Sequence, residues 1–281
     1  AIRDTFARFT DAEIIPAAEA IDGAHEYPRD IVKRLADLGF IGMRYGEAAG
    51  GTGVDLVTCC LALEEVARGS MSVAACATMQ ALMGTKFLEL LGNDDIRERL
   101  FKPALALDKI GAICMTEPDA GSDLGSIATR AVETDGGYIL NGAKTWVTSA
   151  PVADFFTVFA RAGDEDKLTI FLVEKDFDGL VIGRPIEKMG VWALPTSEVT
   201  FNDCFVPASH RLSAEIGDGE EHLRKLLSEI RIVTAVLGVG IARAALDEAV
   251  RYTGERKQFG KPINRFQAVQ LRLADMATDL E

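Results

Sequence analysis

Hydrophobic periodicity divides the chain into three stretches. Apolar residues recur at helical spacing over residues 1–109, at a spacing of two over residues 110–212, and at helical spacing again over residues 213–281. The run Ile31–Leu38, closed by Gly39, is typical of the first stretch, since glycine commonly ends a helix. The pattern predicts an α+β fold with an N-terminal all-helical domain, a central β-domain and the first part of a C-terminal helical domain.

The central stretch contains a candidate hairpin. Tyr138–Leu140 and Lys144–Thr148 are rich in β-branched and aromatic residues, and Asn141-Gly142 stands between them. Asn-Gly is a strong signal for a two-residue hairpin turn, because both residues tolerate a positive φ. We therefore predict two strands joined by a tight turn. Further short strands are predicted at Phe155–Ala160, Leu168–Val173 and Glu198–Phe201.

The C-terminal stretch predicts two helices. One fits Leu223 to about Glu255, and the second begins near Arg265 and continues to the last residue. Gly238-Val239-Gly240 follows no strand, so it predicts close helix packing rather than a nucleotide-binding loop. Two helices with an exposed apolar face cannot complete a bundle alone. We expect either further sequence beyond Glu281 or a partner subunit to cover that face.

Composition narrows the class of partner. The net charge is −13 and the pI is about 4.8, and a surface this acidic repels phosphate backbones and anionic lipid. We therefore expect neither nucleic acid nor a membrane as a partner, and the longest uncharged apolar run, Ile232–Ala242, is too short to span a bilayer. The 3 His and 5 Cys show no metal-ligand spacing. We expect reduced thiols, no metal, and a protein of the bacterial cytoplasm or the mitochondrial matrix.

Three segments carry residues suited to ligand binding. Thr116–Asp123 combines proline, glycine and hydroxyl residues in a turn that could face a ligand or form a plain loop. Trp146 and Thr148 share a predicted strand, where the ring could contact a ligand or pack in the core. The cations around Phe259-Gly260 could bind a pyrophosphate or complement a helix end. These cations are Arg251, Arg256, Lys257, Lys261 and Arg265.

In their order and separations these segments resemble the signature of the acyl-CoA dehydrogenase family. The resemblance covers essentially the whole chain, and the motifs are long and correctly ordered. Ile15-Pro16 and Gly50–Gly53 fit the first domain of that family. The other matching segments are Met115–Pro118, Ala120–Asp123, Leu140–Gly142, Lys144–Thr148, Ala153-Asp154, Lys188–Gly190, Phe201–Asp203, Val206-Pro207 and Glu255–Lys261.

The resemblance implies a fold, a cofactor and a reaction. Family members have an N-terminal helical domain, a central β-barrel or sandwich domain and a C-terminal four-helix bundle, and they form homotetramers built as dimers of dimers. They bind FAD and oxidise the Cα–Cβ bond of an acyl-CoA substrate to the trans-2-enoyl-CoA in fatty acid metabolism. The electrons pass to electron-transfer flavoprotein.

The resemblance also implies roles for individual residues. Residues expected to line the flavin are Met115, Thr116, Gly121, Ser122, Trp146, Val147 and Thr148. Residues expected to contact the FAD of an adjacent subunit are Arg256, Phe259 and Gln267. Residues expected to contact the acyl-CoA substrate are Ser122, Ser228 and Arg231.

Two positions depart from the family pattern. Most members supply the catalytic base as a glutamate late in the C-terminal bundle, which we expect beyond Glu281. Others supply it just before the CoA-contacting arginine, where this chain has Ile230, which cannot act as a base. Glu229 is adjacent, but one residue rotates a helical side chain by about 100°, so it should point elsewhere. Trp192 stands where relatives commonly carry an arginine.

These departures leave alternatives open. The nearest is another flavoenzyme of the superfamily, such as an acyl-CoA oxidase, a reductase or a monooxygenase. The lack of a credible base within the chain also allows a non-catalytic subunit of the same fold. The net charge of −13 argues against a nucleic-acid-binding relative.

Overall fold

The N-terminal part of the protein is helical. The computed structural model describes all 281 residues. Short π-helical turns at Thr10–Ile14, Met79–Gly84 and Arg97–Phe101 connect several of the helices. The α-helices of this part are α1 (Ile2–Phe9), α2 (Ile15–Ala24), α3 (Arg29–Asp37), α4 (Leu56–Gly69), α5 (Met71–Thr78), α6 (Lys86–Leu91), α7 (Asp94–Ile96) and α8 (Lys102–Leu105).

The two central helices of this part begin at side-chain caps. Asp55 accepts a hydrogen bond from the N–H of Thr58 at 2.8 Å, at the start of α4. Ser70, in an extended conformation, ends α4 and caps α5 through the N–H of Val73 at 3.3 Å. Such caps satisfy N–H groups that have no partner inside the helix. They separate what would otherwise be one continuous helix into two packed helices.

The middle of the chain forms one seven-stranded sheet. Its strand order is β1-β4-β2-β3-β7-β6, with β5 beside β4. β4 pairs in parallel with β1 and β2 and antiparallel with β5. The strands are β1 (Gly111–Cys114), β2 (Arg130–Thr134), β3 (Gly137–Thr148), β4 (Phe155–Ala162), β5 (Lys167–Glu174), β6 (Leu180–Pro185) and β7 (Thr196–Pro207).

The predicted hairpin turn at Asn141-Gly142 is wrong, because both residues lie within the continuous strand β3. Opposite them β7 carries an extra residue, and the side chain of Asn141 bonds to Asp203 across this bulge. Gly142 is required by crowding, since a Cβ there would lie 2.5 Å from Oγ1 of Thr129. A local turn preference therefore yields to the close approach of a neighbouring segment.

Gln80 joins the helices to the first strand. Its buried side chain donates from Nε2 to the carbonyls of Ala104 and Lys109, each at 2.9 Å, and accepts from the N–H of Gly111 at 3.1 Å. The backbones at Gly84 and Gly111 touch, because a Cβ on either would overlap the carbonyl of the other. The start of β1 is thereby fixed to the π-helical turn Met79–Gly84.

The C-terminal part consists of two helices and a small hairpin. The predicted long helix is α9 (Gly219–Glu255), and the second is α10 (Gln267–Leu280). Between them lie β8 (Lys257–Gln258) and β9 (Lys261–Pro262). The predicted α+β fold is confirmed, whereas the division of the chain at residues 109 and 212 stays a prediction. No helix combines the length and apolar composition that a bilayer crossing requires.

α9 crosses α4 at close range. At Gly240 a Cβ would lie 2.7 Å from the carbonyl oxygen of Glu64 and 2.6 Å from Cβ of Ala67. One turn further on, Arg243 donates to Glu64 at 2.6 Å and to Glu65 at 2.8 Å. The predicted packing role of the Gly238-Val239-Gly240 motif therefore holds for Gly240, while Gly238 faces open space.

Replacing Gly240 with alanine should destabilise the protein. The added Cβ overlaps the backbone of α4, so we expect Gly240→Ala to lower the free energy of unfolding by about 1–3 kcal/mol. Gly238→Ala is the matched control, and it should raise that free energy by about 0.5–1 kcal/mol because alanine favours a helix. Urea unfolding of both variants measures the difference. Equal changes in the two variants would contradict the crossing.

Candidate functional site

The loop that follows β1 lies beside the last residues of β3. The carbonyl of Thr116 accepts a hydrogen bond from the N–H of Thr145 at 2.9 Å. Three hydroxyl groups in these segments, those of Thr116, Ser122 and Thr148, form no hydrogen bond within the chain. Polar groups without a protein partner at one end of a sheet are available to a ligand.

Trp146 occupies an irregular position in β3. The register of β3 against β7 shifts between Lys144 and Val147, and Trp146 within this bulge has a φ of 54°. Its side chain is 56% exposed, whereas Val147 is buried in the sheet core. A large aromatic residue in left-handed backbone is strained, and such strain is concentrated at functional sites. Trp146 is therefore not a core residue, and its contact with a ligand stays a prediction.

A buried ion pair fixes the loop after β1. The side chain of Lys144 is 0% exposed and that of Glu117 is 7% exposed. The Nζ atom of Lys144 donates to Oε1 of Glu117 at 2.8 Å, to the carbonyl of Met115 at 3.1 Å and to the carbonyl of Phe159 at 2.7 Å. All three ammonium hydrogens therefore have acceptors, as a buried lysine requires.

The Glu117 carboxylate is equally well satisfied. Oε2 accepts from the N–H of Ala128 at 2.7 Å, and Oε1 accepts from the N–H of Thr129 at 2.9 Å and from its hydroxyl at 2.5 Å. Burial alone would raise the pKa of Glu117, but the hydrogen bonds from Lys144, Thr129 and Ala128 together hold it below its usual value. Burial lowers the pKa of Lys144, against the attraction of Glu117. Three acceptors around Nζ of Lys144 and four donors to the Glu117 carboxylate are the arrangement of a fully hydrogen-bonded ion pair.

Arg161 holds the far end of the same loop. Its guanidinium donates to the carbonyl of Ile127 at 2.5 Å, to that of Asp166 at 2.7 Å and to that of Gly125. Asp123 caps a short turn by accepting from the N–H of Gly125 at 3.1 Å. The segment from residue 115 to residue 129 is thus tied to the sheet at both ends.

A groove runs between this loop and the first half of α9. Its volume is about 800 Å³, and Ser122 and Arg231 both line it. The structure therefore brings together two residues expected to contact the substrate. Ser228 is not part of the lining, and its hydroxyl donates to the carbonyl of Lys225 at 2.7 Å.

Arg231 is the unpaired cation of the groove. Acidic side chains outnumber basic ones in the lining, and the other cations have partners. Lys167 pairs with Glu165, and Arg224 lies 3.6 Å from Glu220. The side chain of Arg231 forms no ion pair and no hydrogen bond within the chain. An anionic ligand in this groove would meet its free guanidinium.

The residue before Arg231 supplies no base. Ile230 is half-buried and packs against two of the hydrophobic clusters. Glu229 points toward the N-terminal helices, where its carboxylate accepts from Nε of Arg44 at 2.9 Å. The Glu229 carboxylate is therefore held in an ion pair with Arg44, on a face of α9 other than the one that lines the groove.

Trp192 packs against the N-terminal helices. Its ring stacks on the imidazole of His25 with centroids 4.7 Å apart, and Nε1 donates to the carbonyl of Lys188 at 2.6 Å. Val191 before it has a φ of 54°, which is unfavourable for a β-branched residue. The ring of Trp192 thus joins the β-domain loop to the end of α2.

The remaining predicted residues lie far from the groove. Arg256 lies about 37 Å along the helix axis from Arg231, so the two arginines cannot bind the same part of a ligand. Arg256 and Gln267 are exposed, and Phe259, at the tip of the hairpin, is 92% exposed with a φ of 51°. Arg251 differs from Arg256 because its guanidinium is bound to Glu248 and Glu255.

Sequence reasoning missed the ion pair of Lys144 with Glu117 and the anchoring role of Arg161. Period-two alternation did hold a signal for the lysine, because Leu140 and Lys144 fall on the same buried face of β3. No local pattern identifies its partner, which lies 27 residues earlier in the chain. Arg161 is the one residue of β4 that is not fully buried, and no local pattern shows that its side chain bonds to the loop after β1.

The comparisons with known proteins agree with this geometry. The chain is 71% identical over 281 residues to the benzylmalonyl-CoA dehydrogenase of Aromatoleum aromaticum, a match that covers 100% of this chain and 74% of that protein. It is 40% identical over 284 residues to the 3-(aryl)acrylate reductase of Clostridium sporogenes, covering 99% of this chain and 74% of that protein.

Solved structures share the whole fold. The glutaryl-CoA complex of glutaryl-coenzyme A dehydrogenase is 31% identical, with a TM-score of 0.94 over 99% of this chain and 72% of that chain. The FAD complex of PigA is 28% identical, with a TM-score of 0.93 over 99% of this chain and 74% of that chain. One neighbour with this fold is therefore a complex with FAD, and another is a complex with glutaryl-CoA.

The residues at the end of the sheet fit FAD. A flavin offers a flat apolar ring flanked by carbonyl and N–H groups, and a ribityl and pyrophosphate chain with many acceptors. The exposed ring of Trp146 and the free hydroxyls of Thr116 and Thr148 match the first part. The small residues Gly121 and Ser122 leave backbone N–H groups accessible to the second.

Family models match nearly every residue. The acyl-CoA dehydrogenase N-terminal domain matches residues 1–108, the middle domain residues 112–204, and the C-terminal domain residues 217–281. These matches agree with the confirmed fold, the flavin-compatible end of the sheet and the groove beside it. This chain belongs to the acyl-CoA dehydrogenase family of FAD-dependent oxidoreductases.

Proposed function

We propose that this protein oxidises the Cα–Cβ bond of a CoA thioester whose β-carbon carries an aromatic ring. The observation that carries the proposal is the 71% identity with a benzylmalonyl-CoA dehydrogenase over every residue of this chain. The 40% identical relative is named for an arylacrylate, which also carries its ring on the β-carbon. Two relatives therefore share this substrate feature, and benzylmalonyl-CoA is the first candidate substrate.

The residues of the chain have distinct roles in this reaction. Arg231, as the free cation of the groove, binds an anionic part of the CoA moiety, and Ser122 binds at the opposite wall. Trp146, Thr148 and the backbone of Val147 would line the flavin together with Met115, Thr116 and Gly121. When bound, FAD supplies the acceptor for the hydride that leaves Cβ. The electrons then pass to electron-transfer flavoprotein, as the family pattern implies.

Removal of the α-proton needs a carboxylate base. Within this chain Ile230 has no titratable group, and Glu229 is bound to Arg44. A glutamate beyond Glu281 stays a prediction, and the chain covers 74% of the length of its 71% identical relative.

Product analysis separates two routes for a malonyl thioester. In both routes a hydride would leave Cβ for FAD. Proton abstraction retains the α-carboxylate, whereas loss of CO2 supplies the electron pair to Cα instead and so gives cinnamoyl-CoA.

A second candidate is reduction of an arylacrylyl thioester, the reverse of the same step. The arylacrylate reductase relative favours it. One enzyme catalyses a reaction in both directions. The two candidates therefore differ in whether the cell supplies the saturated thioester or the arylacrylyl thioester as the substrate. Electron-transfer flavoprotein would accept electrons in the first case and donate them in the second.

The substrate class can be tested by anaerobic titration of the FAD-loaded enzyme. We expect benzylmalonyl-CoA or 3-phenylpropanoyl-CoA to bleach the visible flavin absorbance and to yield an arylacrylyl-CoA. Butyryl-CoA and glutaryl-CoA, which lack the ring, serve as matched controls and should bleach at least ~10-fold more slowly, as expected when a binding contact worth about 1.4 kcal/mol is lost. Equal rates with butyryl-CoA would contradict the aryl preference.

Arg231 should matter more than its neighbour Arg224. Loss of a charge-assisted hydrogen bond costs about 1.5–3 kcal/mol, so Arg231→Met should raise KM for the acyl-CoA at least ~10-fold. Arg224→Met removes the same charge from the same groove, but Arg224 is exposed and paired with Glu220. It should change KM by no more than about twofold. Similar KM values for both variants would show that Arg231 does not contact the substrate.

Arg256 should contribute to FAD retention. If it contacts the pyrophosphate of FAD in an adjacent subunit, Arg256→Ala should weaken FAD binding by about 1.5–3 kcal/mol. Arg251→Ala is the matched control, because its guanidinium already pairs with Glu248 and Glu255. The flavin content after dialysis, together with the FAD dissociation constant, measures the effect. Unchanged FAD binding by Arg256→Ala would exclude this contact.

A further inference from the structure

The network around Lys144 and Glu117 ends on the backbone of one loop. The lysine donates to the carbonyl of Met115, and the glutamate accepts from the N–H groups of Ala128 and Thr129. Between these points the backbone of Glu117 exchanges two hydrogen bonds with Ala120, at 2.9 and 3.1 Å. The turn that carries the exposed residues Gly121 and Ser122 is therefore closed by its own backbone and tied to the sheet beneath.

Stability does not by itself require charges at this place. Desolvation of a buried ammonium and carboxylate costs several kcal/mol per ion, and apolar pairs of similar volume often replace such ion pairs without loss of stability. A buried pair with every hydrogen-bonding group satisfied nevertheless defines one geometry, because any shift of the loop leaves a charge without a partner.

The geometry points to Lys144 and Glu117 as a positioning pair that holds the loop from Met115 to Ser122 against the flavin. Neither side chain touches the cofactor, since both are buried behind the loop. The pair fixes the carbonyl of Met115 and the turn at Glu117, and so determines where the N–H groups and hydroxyls of the following residues lie. Thr145, the residue after the lysine, continues the connection through its bond to Thr116. The inference rests on the flavin-facing role proposed above for this loop.

The first test separates positioning from stability. The double variant Lys144→Met/Glu117→Leu replaces the pair with apolar side chains of similar length. Five buried groups lose their partners in this variant, so we expect the urea midpoint of the apoprotein to fall while the chain stays folded without urea. Under those folded conditions the FAD dissociation constant should rise at least tenfold, and the vibronic shoulder of the bound-flavin spectrum should change. A double variant with wild-type FAD affinity and flavin spectrum would overturn the inference.

A milder variant decides the question if the double variant does not fold. Thr129→Val keeps the shape of the side chain and the backbone N–H bond but removes the hydroxyl that donates to Glu117 at 2.5 Å. It should raise the FAD dissociation constant about threefold with an unchanged urea midpoint. Unchanged FAD affinity in Thr129→Val would overturn the inference in that case. Thr134→Val, at an exposed position of the same sheet, is the control and should change neither quantity.

The proposed FAD contacts can fail separately from the positioning pair. Weaker FAD binding in Arg256→Ala and Thr148→Val, without any change in the Lys144 and Thr129 variants, would overturn the positioning role and leave the flavin site intact. Weaker FAD binding in the Lys144 and Thr129 variants supports the positioning role whatever Arg256→Ala shows. Unchanged FAD binding in all of them would overturn both the site assignment and the inference.

Discussion

The crossing of α9 over α4 is the contact on which the rest of the structure depends. Glu65 lies at this crossing with a side chain only 3% exposed, and three arginines surround it. Arg3 donates at 2.9 Å, Arg68 at 3.0 Å and Arg243 at 2.8 Å. Burial alone would raise the pKa of Glu65, but these hydrogen bonds together lower it. A buried carboxylate of this kind is favourable only when every guanidinium is in place.

This crossing determines the geometry of the groove. α9 is 37 residues long, and much of its surface has no partner within the chain. Because α9 is about 55 Å long, a small change of tilt at the crossing would move its ends by several ångströms. Gly240 and the Glu65 cluster fix that tilt, and Leu223 and Leu226 seat the first half of the helix on the sheet. Arg231 and Ser122 line the same groove because these two attachments act together.

The sequence predicted the elements governed by local periodicity. α9, β4 and β5 lie where helical or alternating patterns placed them, within a few residues at each end. It failed at Asn141-Gly142, where a strong local turn signal lost to the approach of Thr129. The motif segments singled out the loop after β1, but the anchors of this loop join residues far apart in sequence. Neither Glu117 with Lys144 nor Glu65 with Arg243 has a local signature, since each pairing depends on the finished fold.

Two exposed aromatic residues have a strained backbone. Trp146 and Phe259 both have left-handed backbone, at φ of 54° and 51°, and both rings are mostly exposed. Such a backbone costs about 1–2 kcal/mol for a residue with a Cβ, and exposing a large ring forgoes about 1.5–3 kcal/mol of burial. Phe259 has one aromatic contact within the chain, an edge-on contact with Phe266 at 6.1 Å between ring centroids, and this contact leaves Phe259 92% exposed. Trp146 belongs to the residues that fit the flavin ring, and Phe259 to those expected at the FAD of a second subunit. The strain at both positions is therefore explained if each ring is covered by the cofactor, one within the subunit and the other across an interface.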